Sequence, residues 1–111
     1  MPFQNITPAR LALAQLPATV AGILYTVPAG TRTFLKDIDI ANTTAAAINA
    51  RVYLVPSLGA PGDANTLIPF DVPAKSIAQW TGSQILNEGD TIQGLAGSVG
   101  LTLFASGGEA T

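Results

Sequence analysis

The sequence predicts an all-β domain, a sandwich or a barrel. Three observations carry this. From Gly22 onward, short strand-like runs alternate with clusters of Gly, Pro, Asn and Asp, the punctuation of an antiparallel β protein. Asp37-Ile38-Asp39-Ile40 alternates polar and apolar strictly, as a half-buried strand does. Ala45-Ala46-Ala47 is the one stretch that suggests helix, and it spans about a turn.

Residues 1–18 read as an extended N-terminal arm. Pro2, Pro8 and Pro17 resist helix, while Phe3, Ile6, Leu11, Leu13 and Leu16 supply apolar anchors. Such anchors predict an arm held against its own domain or a neighbour, and these five residues are the expected partner-binding set. Leu11 to Gln15 suits a short strand or one helical turn.

Residues 19–106 form the predicted β domain. Ile23 to Val27 is its first clear strand, and Pro28-Ala29-Gly30 turns the chain, proline presetting φ and glycine permitting φ above zero. Arg32 to Ala41 is the next strand. Leu35 breaks its alternation, which predicts a bulge near Lys36. Ile48 to Val55 follows, with Ile48, Ala50, Val52 and Leu54 on one face. Residues 56–66 are a long loop. Leu67 to Val72 contains Pro69, which belongs on an edge strand or at a bulge. Ile77 to Thr81 carries the single tryptophan, Trp80, and residues 81–84 read as a loop. Asn87-Glu88-Gly89-Asp90 is a tight turn between Ile85-Leu86 and the strand Thr91 to Leu95. Val99, Leu101, Leu103 and Ala105 share one face of the last strand, and residues 107–111 read as a C-terminal tail. Thr26-Val27-Pro28-Ala29 is echoed by Asp71-Val72-Pro73-Ala74.

Composition narrows the function. The 111 residues include no cysteine and no histidine. Disulfides, thiolate metal sites and cysteine nucleophiles are excluded, as is any mechanism that uses imidazole. Charged residues are 11% of the chain, against roughly 25% in an average soluble domain. The five basic residues, Arg10, Arg32, Lys36, Arg51 and Lys75, are dispersed, so a phosphate-tracking surface is not expected. The uncharged runs from Leu11 to Thr31 and from Thr91 to Gly108 are broken by polar residues, proline and glycine, and neither reads as a membrane-spanning helix or a signal peptide. Low charge with 48% hydrophobic residues predicts a surface covered by Thr, Ser, Asn and Gln or buried against other chains, and the apolar excess favours an obligate oligomer or a component of a larger assembly.

The candidate chemistry is sparse. Asp37 and Asp39 fall on one strand face, where acid/base work or a hard cation competes with a solvated face paired with Arg51 or another cation across the sheet. Glu88 and Asp90 flank Gly89 in a turn, where Asp90 is expected to bond turn amides. Asp63-Ala64-Asn65 places oxygens as a calcium loop does but lacks the remaining ligands. Asn5-Ile6-Thr7 and Asn42-Thr43-Thr44 match the glycosylation sequon by composition alone. Trp80, Tyr25, Tyr53 and Phe70 would make a sugar-stacking platform only if distant elements met; packing is their commoner fate. Gly94, Gly97 and Gly100 precede a strand rather than a helix, so they form no phosphate loop. No catalytic residue, cofactor or metal ligand is expected.

Leu24-Tyr25-Thr26-Val27-Pro28-Ala29-Gly30-Thr31 and Ile38-Asp39-Ile40-Ala41-Asn42-Thr43, with Val52-Tyr53-Leu54-Val55-Pro56 and Leu86-Asn87-Glu88-Gly89-Asp90-Thr91-Ile92, resemble small tailed-phage virion proteins. The likeness runs from about Ile23 to Phe104 and consists of strand-and-turn signatures. It implies an antiparallel, jelly-roll-like β-sandwich that assembles as a homotrimer. Two roles follow from it. One is a capsid decoration (cement) protein, made in the host cytoplasm and bound to the major capsid protein on the virion surface. The other is a tail-tip or fibre module that binds a host receptor or glycan through residues 56–66 and 81–84. Neither role calls for an enzyme, nucleic acid or membrane.

Overall fold

The computed structural model describes residues 6–18, 20–62 and 65–111, with only the backbone of residues 68–70. Eight strands follow one another: β1 (Ile6–Gln15), β2 (Gly22–Thr26), β3 (Arg32–Asn42), β4 (Ile48–Val55), β5 (Thr66–Val72), β6 (Ser76–Leu86), β7 (Thr91–Ala96) and β8 (Leu101–Ala110). They form two four-stranded antiparallel sheets, sheet I in the order β1-β8-β3-β6 and sheet II in the order β2-β7-β4-β5. Among the described residues there is no α-helix, and Ala45-Ala46-Ala47 lies in an irregular loop.

The strand order has a simple origin. β1 pairs with β8, β2 with β7, β3 with β6 and β4 with β5, all antiparallel. The chain is thus one long double ribbon folded back at the β4–β5 loop. Pairing of β3 with β8 and of β4 with β7 rolls that ribbon into a sandwich. This is the jelly-roll arrangement, as the sequence led us to expect.

Alternation places the core between the sheets. Leu35, Ile38, Ile40, Leu101 and Leu103 of sheet I and Val52 and Ile92 of sheet II are fully buried. Each side chain of this kind contributes roughly 1.5–3 kcal/mol by leaving water. The expected bulge is present: the register of β3 shifts between Leu35 and Asp37 against both neighbours, with Lys36 the extra residue against β8, whereas Gly82 and Ser83 of β6 together oppose it on the other side. Pro69 lies in β5, an edge strand.

Three boundaries differ from the sequence reading. The residues expected as an arm are an edge strand from Ile6 on, paired from Ile6↔Ala110 to Gln15↔Thr102. Proline does not forbid this, because Pro8 lies on an edge strand with an unpaired side. Leu11 and Leu16 are buried in the domain's own core, which removes them from the expected partner-binding set. Ile6 and Leu13 remain exposed, and Phe3 lies outside the described residues. The expected tail is the end of β8, seated between β1 and β3. Its glycines permit close approach: a Cβ on Gly107 would overlap the Phe34 carbonyl oxygen. The loop expected at 81–84 is continuous β6 strand, paired through Gln84 and Thr81 with Leu35 and Asp37.

The Val-Pro-Ala echo marks equivalent places. Both copies end an edge strand of sheet II and carry the chain across to sheet I. Val27 and Val72 are buried alike. The fourth residue of each turn is left-handed, Gly30 at φ 71° and Lys75 at φ 51°. Glycine adopts that conformation freely, whereas a side chain costs about 1–2 kcal/mol there. Lys75→Gly is therefore expected to raise stability by roughly 0.5–1 kcal/mol after the greater chain entropy of glycine is counted. Urea unfolding midpoints of the two proteins check this; a lower midpoint for the variant contradicts it.

Candidate functional site

Four groups of polar residues were candidates for chemistry, and the fold puts most of them to structural use. Asp90 accepts backbone N–H bonds from Ser57 and Asn87, both at 2.9 Å, and Gly89 has φ 86°. Glu88 accepts the Gly30 amide at 2.5 Å. The two carboxylates thus fasten the β6–β7 turn to its neighbours, as expected for Asp90.

Asn42 fixes the β3–β4 loop. Its amide donates to the carbonyls of Ala46 (2.9 Å) and Val72 (3.0 Å), and its oxygen accepts from Thr44 N (2.9 Å) and Thr44 Oγ1 (2.7 Å). At 2% exposure with its amide nitrogen already bonded, Asn42 has no room for a glycan. Asn5 lies outside the described residues, as do Asp63 and Ala64. Asn65 bonds Gly62 N and Ala60 O within its own loop. Among the described residues no group of His, Cys, Asp and Glu suits a metal ion.

Of the four aromatic residues singled out in the sequence, the three with described side chains, Tyr25, Tyr53 and Trp80, share no surface. Tyr53 is buried in β4, Trp80 packs partly against the core from β6, and the Phe70 side chain lies outside the described residues. Tyr25 reaches from sheet II to sheet I. Its hydroxyl meets Thr33 Oγ1 at 2.7 Å and donates to Glu109 Oε2. Burial, then the bond to Glu109, pushes the Tyr25 phenol from 10.0 up to about 12. This inter-sheet link was missed at the sequence level because Glu109 read as part of a tail.

Asp37 and Asp39 lie on the outer face of sheet I, away from the buried Ile38 and Ile40. Asp37 has Thr81 and Ser106 as cross-strand neighbours; Asp39 has Gln79 and Phe104. Arg51 belongs to β4 in the other sheet, so it is not the cross-strand cation expected for them. The reason is topological: the chain changes sheets between β3 and β4. Desolvation, then the neighbouring Asp37 charge, raises the Asp39 pKa. Asp37 Oδ1 is buried without a hydrogen-bond partner.

What remains is a surface. Successive rows cross the outer face of sheet I: Pro8–Gly108–Phe34–Ile85, then Arg10–Ser106–Asp37–Thr81, then Leu13–Phe104–Asp39–Gln79, then Gln15–Thr102–Ala41–Ile77. Ile6, Leu13, Phe104, Ile77 and Ile85 are between 41% and 65% exposed here. Over Gly107 and Gly108 the face dips into a groove of about 500 Å³ walled by Ile6, Pro8, Phe34 and Ile85. Elsewhere, Leu58 is fully exposed at φ 67° on the loop that Asp90 holds through Ser57. A left-handed, exposed leucine is a strained presentation of an apolar side chain.

The Tyr25 link has a measurable consequence. A raised folded-state pKa contributes stability that is fully present below the unfolded value of 10.0 and is lost as pH rises through about 12. Stability is therefore expected to fall across this window, and Tyr25→Phe should flatten that component. Denaturant midpoints measured from pH 9 to 12 decide it; identical slopes for the two proteins would refute it.

No protein-family model matches the sequence, and no curated protein matches it. Among solved structures, the chain is similar to chains in the structures of infectious bursal disease virus Gt strain (11% identity, TM-score 0.33) and Gx strain (12% identity, TM-score 0.32). The alignments cover 95% and 96% of this chain but only 31% and 32% of those chains, so the chain spans about a third of their length.

Proposed function

We propose that the chain is a non-enzymatic virion structural protein. Its favoured role is capsid decoration, with trimers bound across neighbouring major capsid proteins on the particle surface. The observation that carries this reading is the outer face of sheet I. Five large apolar side chains are exposed there, in a chain with few charges to keep such a face in water. Patches of this kind serve contact with other chains. Jelly rolls serve viral capsids and also lectins, so the fold leaves the choice to the surface. The receptor or glycan alternative has less support, because Tyr25, Tyr53 and Trp80 share no surface and residues 81–84 are strand. The strained exposure of Leu58 adds a second apolar contact point.

Antibody against the purified chain should label the heads of particles assembled from the genome that encodes it. Sedimentation of the chain should give a mass near three protomers or a multiple of three. Label confined to tail tips would favour receptor binding, and absence from particles would overturn both readings. Leu13→Asp with Phe104→Asp should preserve the fold, since both side chains are exposed, yet weaken particle binding by about tenfold or more. Unchanged occupancy on particles would take sheet I out of the contact.

A further inference from the structure

The sandwich has four edge strands: β1 and β6 in sheet I, β2 and β5 in sheet II. An edge invites another strand to pair, and proteins usually blunt it with proline, charge, a bulge or shortness. Three of these edges are blunted. β1 carries Pro8 and Arg10, with a register shift between Arg10 and Ala12. β2 is 5 residues long, and its register shifts between Ile23 and Tyr25. β5 carries Pro69 and Asp71. The fourth, β6, runs for 11 residues without proline or charge. It carries one irregularity: Gln84 opposes Leu35 and Thr81 opposes Asp37, so Gly82 and Ser83 together face Lys36.

We propose that β6 is a self-pairing edge. Two copies of the chain join there, antiparallel, about a two-fold axis at Thr81, and the two copies of sheet I continue as one eight-stranded sheet. The strand is self-complementary about that residue. Antiparallel pairing at Thr81 sets Ile77 opposite Ile85 of the second copy, and Ile85 opposite its Ile77. These two side chains are 60% and 58% exposed in the single chain, and each covers the other. An axis at Gln79 or Ser83 instead faces one isoleucine with threonine and leaves the other beyond the strand end.

The remaining pairs agree. Gln79 meets Ser83, and Thr81 meets itself. On the inner side Trp80 meets Gly82, where its own ring already lies: a Cβ on Gly82 would stand 2.9 Å from Trp80 Cζ2. Glycine leaves space for an indole from each copy, an arrangement that protects an edge glycine. Asp39 neighbours Gln79, and Lys36 Nζ donates to Ser83 Oγ at 3.3 Å. Pairing Gln79 with Ser83 therefore sets each Asp39 in line with the other copy's Lys36, while Asp37, in line with Thr81, faces its own counterpart across the axis. The groove wall formed by Ile85 also gains Ile77 of the second copy as an extension.

This contact does not rest on the virion reading. It uses an edge, so three-fold closure through other surfaces remains open, and the contact would then join trimers in pairs.

The native chain has no cysteine, so Thr81→Cys creates a single thiol on the axis. Directly opposed Cα atoms in an antiparallel pair lie about 4.5–5.5 Å apart, within disulfide reach. Under mild oxidation Thr81→Cys should convert almost wholly to a covalent dimer. Ser83→Cys should not, since it opposes residue 79 and lies about 13 Å from its own counterpart. The double variant Gln79→Cys, Ser83→Cys should cross-link again. All three positions are exposed, and thermal melts of the reduced proteins confirm folding. A Thr81→Cys chain that stays uncross-linked, or a Ser83→Cys chain that cross-links equally well, would overturn the proposal. A sedimentation mass of three protomers with no Thr81→Cys dimer would overturn it while leaving the trimer intact.

Discussion

The pairing of β3 with β8 is the junction on which the rest of the sandwich depends. It binds residues 32–42 to residues 101–110 and, among the described residues, joins the β1–β8 and β3–β6 halves of sheet I. Along it, Ile38 pairs with Ala105 and Ile40 with Leu103, all buried. Its limiting point is Gly107, where the Phe34 carbonyl occupies the space any Cβ would take. A side chain there would part the strands and release both the end of β8 and the start of β1, because Ala9 is the partner of Gly107 on the other side. Such distant pairing must form against the entropy of closing a long loop, which places this fold among the slower-folding topologies.

Much of this was legible in the sequence wherever a local cause sufficed. The Lys36 bulge follows from one broken alternation, the edge position of β5 from Pro69, and the Asp90 turn from a carboxylate beside a glycine. What failed to read out was set by partners far along the chain. Gly107-Gly108 has the composition of a linker, and only its neighbour Phe34 shows why glycine is required. Pro8 counts against a strand until β1 is known to be an edge. Thr81 to Gln84 is polar and contains glycine, so it reads as loop; it remains strand because its outer side faces solvent and pairing resumes on both sides of a bulge at Gly82-Ser83. Arg51 looked like a cross-strand partner for the aspartates, but sheet membership is decided by how the ribbon rolls.

The charge deficit acquires a structural meaning once the charges are placed. Glu88 and Asp90 hold turns, Asp71 accepts from Asn49 Nδ2 at 3.1 Å, and Glu109 takes the Tyr25 hydroxyl between the sheets. Four of the seven acidic residues are thus engaged in holding the fold. The outer face of sheet I keeps Arg10, Lys36, Asp37 and Asp39 among exposed isoleucine, leucine and phenylalanine. A small domain has much surface for its volume, and a face so composed is suited to another protein more than to water.

An unguarded edge raises the question of what stops assembly. Strand addition between unlike edges leaves a fresh edge at each step and can continue without limit. Pairing of β6 with itself differs, because a two-fold contact consumes the same edge on both copies. The eight-stranded sheet that results ends at β1 on either side. Those ends carry Pro8 and Arg10, whereas β6 has neither proline nor charge. Proline, charge or shortness therefore marks every edge that would face solvent in the pair, and the one edge that closes it has none of the three.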